Sequence, residues 1–202
     1  MSRILMRSEE AMPGQQDSDY VAHFTKGENA LANIKAILTG LQVTANALPW
    51  NGRDAVCFTE CPWSSLLAHA EQYSSFGIGF SKSHVFAAGG GPAYYVRNDL
   101  FAQQQWEGVN YTFVTPYWPS FRPAAKSGHD KASHPIDYLH EREWRVPHDF
   151  TFTLNQVEFV ILPDYEAMAQ FPALLKDGIG REKFILMDVY RKIEQLWPVH
   201  VV

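Results

Sequence analysis

Glu141-Arg142-Glu143-Trp144-Arg145 sets four charges and one indole in five consecutive residues of a chain of otherwise moderate charge. Read as a strand from Glu141 to Val146, it sends Glu141, Glu143 and Arg145 to one face and Arg142 and Trp144 to the other, because successive side chains alternate. Two carboxylates then share one space about 7 Å apart. Such a pair needs a cation or a polarised ligand beside it, and Arg145 can supply part of that compensation. Taken alone, the stretch reads at least as well as a ladder of surface ion pairs.

Upstream of this strand the pattern is an irregular mixture of strands and helices. Tyr20 to Thr25 reads as a strand, Lys26-Gly27-Glu28-Asn29 breaks it, and Ala30, Leu31, Ile34, Ile37, Leu38 and Leu41 recur at helical spacing, with Gly40 where a helix would end. Ala55 to Thr59 is a second strand, followed by a helix opened by Pro62 and ending near Ser75. Phe76-Gly77-Ile78-Gly79-Phe80 alternates apolar residues with glycine, which leaves one face of a strand bare for a ligand, another backbone or tight sheet packing. Gly89 to Pro92 is a turn and Ala93 to Val96 a strand. Residues 97–138 form a long connection of the kind that makes lids and binding loops, with Tyr111 to Val114 its one predicted strand. Beyond Glu141 to Val146 come a strand over Val157 to Leu162, a helix from Tyr165 to Leu175, a strand over Phe184 to Val189 and an amphipathic tail through Trp197. This irregular interleaving indicates an α+β fold and not a doubly wound parallel sheet.

A length of 202 residues and 46% hydrophobic content suit one domain, expected over residues 20–202, with residues 1–19 as a polar leader. The formal charge of −5 argues against a broad phosphate-binding face. A local exception runs from Arg122 through Lys126, His129, Lys131 and His134, after the aromatic run Tyr111 to Phe121. That mixture could meet stacked bases or be a solvated loop. Two cysteines, Cys57 and Cys61, with His69 nearby, make too small a set for a zinc site. With no secretory signal and no apolar run of membrane-spanning length, the expected compartment is the cytoplasm.

His23-Phe24-Thr25, followed by Asn29, a helix and Gly40-Leu41, resembles the opening motif of DarT-type ADP-ribosyltransferases. Phe76 to Lys82, Gly91-Pro92-Ala93-Tyr94-Tyr95 and Glu141 to Arg145 resemble the abortive phage infection family AbiGi. The first resemblance implies an ADP-ribosyltransferase-like fold, with split, curved antiparallel sheets, flanking helices and an NAD cleft. It also implies NAD as substrate and Glu143 beside the nicotinamide ribose. A carboxylate there tightens on the ribose as oxocarbenium character develops. Glu141 would orient or deprotonate the acceptor. His23, with Phe24 and with Thr25 on its own strand face, would begin the cofactor pocket. Asn29 and Arg53 would reach ribose and pyrophosphate, and Tyr73, Phe76 or Tyr95 would stack on nicotinamide or else fill core. The serine-threonine-serine strand of arginine-modifying toxins has only Ser74-Ser75 as a partial counterpart.

The function these resemblances imply is an NAD-dependent mono-ADP-ribosyltransferase of a bacterial toxin or phage-defence system, acting on a nucleobase in DNA or RNA and paired with an antitoxin. Three alternatives stay open: transfer to protein, plain NAD hydrolysis, and a catalytically silent binding module serving as a defence-system partner or antitoxin component.

Overall fold

A computed structural model describes residues 18–60, 74–117 and 142–196. Along the chain these form β1 (Tyr20–Thr25), α1 (Ala30–Gly40), β2 (Gln42–Val43), β3 (Asn46–Ala47), β4 (Asp54–Thr59), β5 (Phe76–Ser81), α2 (Lys82–Ala87), β6 (Gly91–Pro92) and β7 (Tyr94–Arg97). There follow α3 (Asn98–Gln103), α4 (Asn110–Phe113), β8 (Val114–Tyr117), β9 (Glu143–Val146), β10 (Phe150–Thr151), β11 (Phe159–Leu162), α5 (Tyr165–Ala169), α6 (Ala173–Ile179), β12 (Phe184–Leu186) and α7 (Met187–Leu196). The expected helix after Pro62, the loop 118–141 with its basic cluster, and the residues Cys61, His69, Tyr73, Glu141 and Trp197 lie outside the described residues, as does nearly all of the expected leader.

The architecture is mixed α+β. Eight strands form one sheet in the order β12-β11-β5-β1-β4-β9-β6, with β3 paired to β4. All its pairings are antiparallel except β11 with β12, and two small ribbons, β10-β2 and β7-β8, stand apart. The centre is β1, matched along its whole length by β5 from Tyr20↔Ser81 to Thr25↔Phe76.

One face of the sheet carries the main core. Val21, Phe58, Ile78, Phe80, Val146 and Val160 pack there against Ile34 and Leu38 of α1, residues spaced one helical turn apart. The Phe80 ring lies 4.9 Å from both Phe150 and Phe152, edge-on. α1 stops at Gly40, as its spacing predicts, but Leu41 takes the left-handed position (φ 54°) and its N–H closes on the Ile37 carbonyl.

The opposite face holds the two glycines of β5, and neighbouring rings fill the space they leave. A Cβ on Gly79 would sit 2.2 Å from the Phe159 ring, and one on Gly77 would sit 2.9 Å from Phe24. Of the readings open for the bare face, tight aromatic packing is the one realised; Phe24 is therefore a packing residue of this face.

Five sequence expectations are corrected. Tyr111 to Phe113 are helical, in α4, and only Val114 onward is strand, because α4 points the Thr112 carbonyl at Arg145. Asn98 to Gln103 are helix where a structureless connection was expected. The helix expected through Leu175 is two, because Pro172 has no N–H to continue α5 and instead caps α6. The last strand ends at Leu186, where Met187 begins α7, and β9 starts at Glu143 because Arg142 is left-handed (φ 46°).

Candidate functional site

β9 behaves as its alternation requires. It pairs with β4 through Thr59↔Glu143, Phe58↔Trp144, Cys57↔Arg145 and Val146↔Val56, so Glu143 and Arg145 share a face with Cys57 and Thr59. Arg145 is completely buried. Its Nε donates to Glu143 Oε1 at 2.9 Å and its Nη2 to Glu143 Oε2 at 2.6 Å, a two-pronged contact suited to a guanidinium. The remaining donors reach the Thr112 carbonyl at 2.9 Å and Thr115 Oγ1 at 2.5 Å, and the guanidinium lies 4.8 Å from the Trp50 ring centre. The Tyr95 hydroxyl adds a third hydrogen bond to Glu143, on Oε2 at 3.1 Å.

Burial works against the Arg145 charge, but the hydrogen bonds and negative charge of Glu143 outweigh it and hold its pKa above the usual arginine value. Burial, followed by the nearby Glu143 charge, pushes the Cys57 thiol up, so it is no thiolate nucleophile.

On the other face of β9, Trp144 and Arg142 meet Glu60, a buried carboxylate one residue past β4. Lys82 Nζ and Arg142 Nη2 lie 2.9 and 3.0 Å from Glu60 Oε1, and Trp144 Nε1 donates to Oε2 at 3.1 Å. Both ion clusters border one cavity of about 410 Å³, lined by Glu60, Pro92, Ala93, Tyr95, Arg142, Glu143 and Trp144. Glu60 is invisible to motif reasoning; the only sequence signal is a glutamate directly following a strongly apolar strand.

The other sequence-chosen residues are dispersed. The pairings Ala22↔Thr59 and Thr59↔Glu143 put Ala22 on the Glu143 face, so His23, the next residue of β1, faces the main core. His23 shares a hydrogen bond of 2.9 Å between Nδ1 and the Cys57 carbonyl, which makes Nδ1 the protonated nitrogen, and its ring meets Phe58 edge-on. Burial lowers its pKa below 6.5. Thr25 shares the His23 face and donates Oγ1 to the Ala30 carbonyl at 2.9 Å, and Phe76 sits opposite it. Asn29 is the exposed N-cap of α1, without a side-chain cap bond. Arg53 lies over the Tyr111 ring and lines a different cavity, of about 460 Å³, with Asp54, Thr112 and His148. Tyr73 and Glu141 lie outside the described residues.

Among the described residues no cluster of three or more His, Cys, Asp or Glu side chains is placed to hold a metal ion, and no helix is long and apolar enough to cross a membrane. No curated protein and no solved structure matches the chain significantly. Residues 31–132, half of the sequence, match the family model of the abortive phage resistance protein AbiGi, described as an antitoxin, and the chain therefore belongs to the AbiGi family.

Proposed function

We propose that this chain is the antitoxin-side component of an abortive phage-infection system, that it restrains a toxic protein in the same cytoplasm by binding it, and that it does not turn over NAD. The family description supports the defence setting and favours an antitoxin role for this chain. The observation that carries the silent reading is the state of Glu143. Its carboxylate already accepts three hydrogen bonds and is neutralised by a buried guanidinium. A neutral pair stabilises a developing oxocarbenium ion far less than a bare carboxylate does, because the favourable and unfavourable charges nearly cancel at the ribose. His23, which was expected to begin the cofactor pocket, turns to the opposite face.

The second reading, a mono-ADP-ribosyltransferase with split sheets and a nucleobase acceptor, draws support from the cavity that Glu143 and Tyr95 border. One experiment separates the two. The full chain is incubated with labelled NAD and mixed DNA, RNA and protein acceptors, and is co-expressed with the toxic protein of its own defence system. Neutralised toxicity without label transfer or nicotinamide release is the expected result. Nicotinamide release that disappears in Glu143→Gln would sink the silent reading, and unrelieved toxicity would sink the antitoxin one.

A further inference from the structure

The cavity of about 460 Å³ at the entry to β4 shares no lining residue with the one at Glu143, and it holds a cation and an anion that do not meet. Arg53 and Asp54 both line it and both are exposed, yet among the described residues neither side chain makes an ion pair or a hydrogen bond. Arg53 is nevertheless held in place. Its guanidinium lies over the Tyr111 ring, 5.9 Å from the ring centre, and Tyr111 is stacked on Phe101, which is stacked in turn on Trp106. A ring face satisfies none of the N–H donors, so the guanidinium keeps its full capacity for hydrogen bonding. Thr112 is the most buried residue of the lining, 4% exposed. Arg145 takes its carbonyl, but its hydroxyl has no partner among the described residues, and a hydroxyl so deeply placed calls for one from the cavity. His148, also in the lining, donates Nδ1–H to the Asp149 carbonyl at 2.7 Å, which makes Nε2 of the neutral imidazole an acceptor.

We infer that this cavity binds a small zwitterion of the free amino acid class, its carboxylate on Arg53 and the Thr112 hydroxyl and its ammonium on Asp54 and His148 Nε2. Two donors then face the acceptor end of the ligand and two acceptors face its donor end, and both unpaired charges are neutralised together. Val109, 55% exposed, and Pro147 supply an apolar stretch of the same wall, which suits an aliphatic side chain. The volume falls towards the lower end of the range for small-ligand clefts, about 300–1,000 Å³. A simple anion is a poorer fit, because whatever satisfies Arg53 meets the Asp54 carboxylate in the same space. A nucleotide is poorer still, since the imidazole of His148 is the only ring in the lining and a base would find no broad platform to stack on. The inference goes beyond the antitoxin reading and does not depend on it.

The test titrates the full chain with free leucine and, separately, with isocaproate, isoamylamine and inorganic phosphate, following the amide resonances of Gly52 and Gly108, which line the cavity. Saturable leucine binding is expected, with isocaproate, which lacks the ammonium, and isoamylamine, which lacks the carboxylate, each weaker by about tenfold or more. This comparison deletes the charges from the ligand and needs no variant. Arg53→Gln should weaken leucine about tenfold while leaving isoamylamine unchanged, and Asp54→Asn should weaken leucine about tenfold while leaving isocaproate unchanged or tighter. A merely structural role for either residue would move both ligands alike. The proposal is overturned if leucine does not bind, if isocaproate or phosphate binds as tightly as leucine, or if both variants bind leucine as the parent does.

Discussion

Glu143→Ala separates a structural from a catalytic role through stability, whatever the reaction. In the folded chain Arg145 is fully buried, and among the described residues Glu143 is its only counter-charge within hydrogen-bond reach. Truncating Glu143 removes two charge-assisted hydrogen bonds and leaves a buried guanidinium uncompensated, for which the cost is about 3–5 kcal/mol. Thr112, Thr115 and Trp50 remain around Arg145, and as neutral groups they cannot replace the lost charge. For a chain of this size each kcal/mol moves the thermal midpoint by roughly 2–4 °C, so Glu143→Ala should melt about 6–20 °C below the parent. The double replacement Glu143→Met with Arg145→Met removes both charges together and should recover most of that loss, because a buried ion pair exchanged for apolar side chains of similar volume is close to neutral. Calorimetry or circular dichroism melting reads both. A catalytic carboxylate gives the reverse pattern, since residues tuned for chemistry are commonly neutral or destabilising to the fold. A midpoint for Glu143→Ala within about 2 °C of the parent, or above it, would refute the reasoning.

Two further outcomes follow from packing and titration. His23 is half-buried, and the desolvation of its ring lowers its pKa, so the unfolded chain binds the proton more readily; the neutral histidine's contribution to stability is present above pH 6.5 and is lost as pH falls below it toward the depressed folded value. The melting-midpoint difference between the parent and His23→Gln, which can still donate to the Cys57 carbonyl, should shift against the parent between pH 7 and pH 5, by at most about 1.4 kcal/mol per pH unit; a pH-independent difference would contradict the assignment. Gly90→Ala should destabilise by about 1–3 kcal/mol in denaturant titration, because its Cβ would lie 2.8 Å from the Val85 carbonyl oxygen and 2.9 Å from Val146, and an unchanged unfolding midpoint would show that this turn yields.

The elements legible in the sequence are those whose pattern is local. β1, α1, β4 and β5 begin and end within a residue or so of where alternation, helical spacing and glycine punctuation put them. The misread stretches owe their form to distant partners. Tyr111 to Phe113 have strand-like composition, yet they turn as a helix whose carbonyl meets Arg145, and no pattern within the segment encodes a residue thirty-three positions away. The glycine alternation of β5 shows that one face is bare but not that Phe159 and Phe24 cover it.

The same division runs through the candidate site. Alternation correctly places Glu143 and Arg145 side by side, and it correctly places Thr25 with His23. What it cannot supply is the register that joins β1 to β9 through β4, and that register turns His23 and Glu143 to opposite faces. A glutamate two residues before an arginine on a strand is the same sequence whether the carboxylate waits for a ribose or closes on its neighbour. The outcome depends on what stands over the pair. Here α4 and β8 place Thr112, Thr115 and the Val114-bound Trp50 there, seating the guanidinium so deeply that Glu143 is its natural counter-ion. Glu60, which no motif singled out, holds Arg142 at the wall of the cavity beside that pair, and with the Glu143–Arg145 pair closed in this way it is the fold that is expected to fail with Glu143.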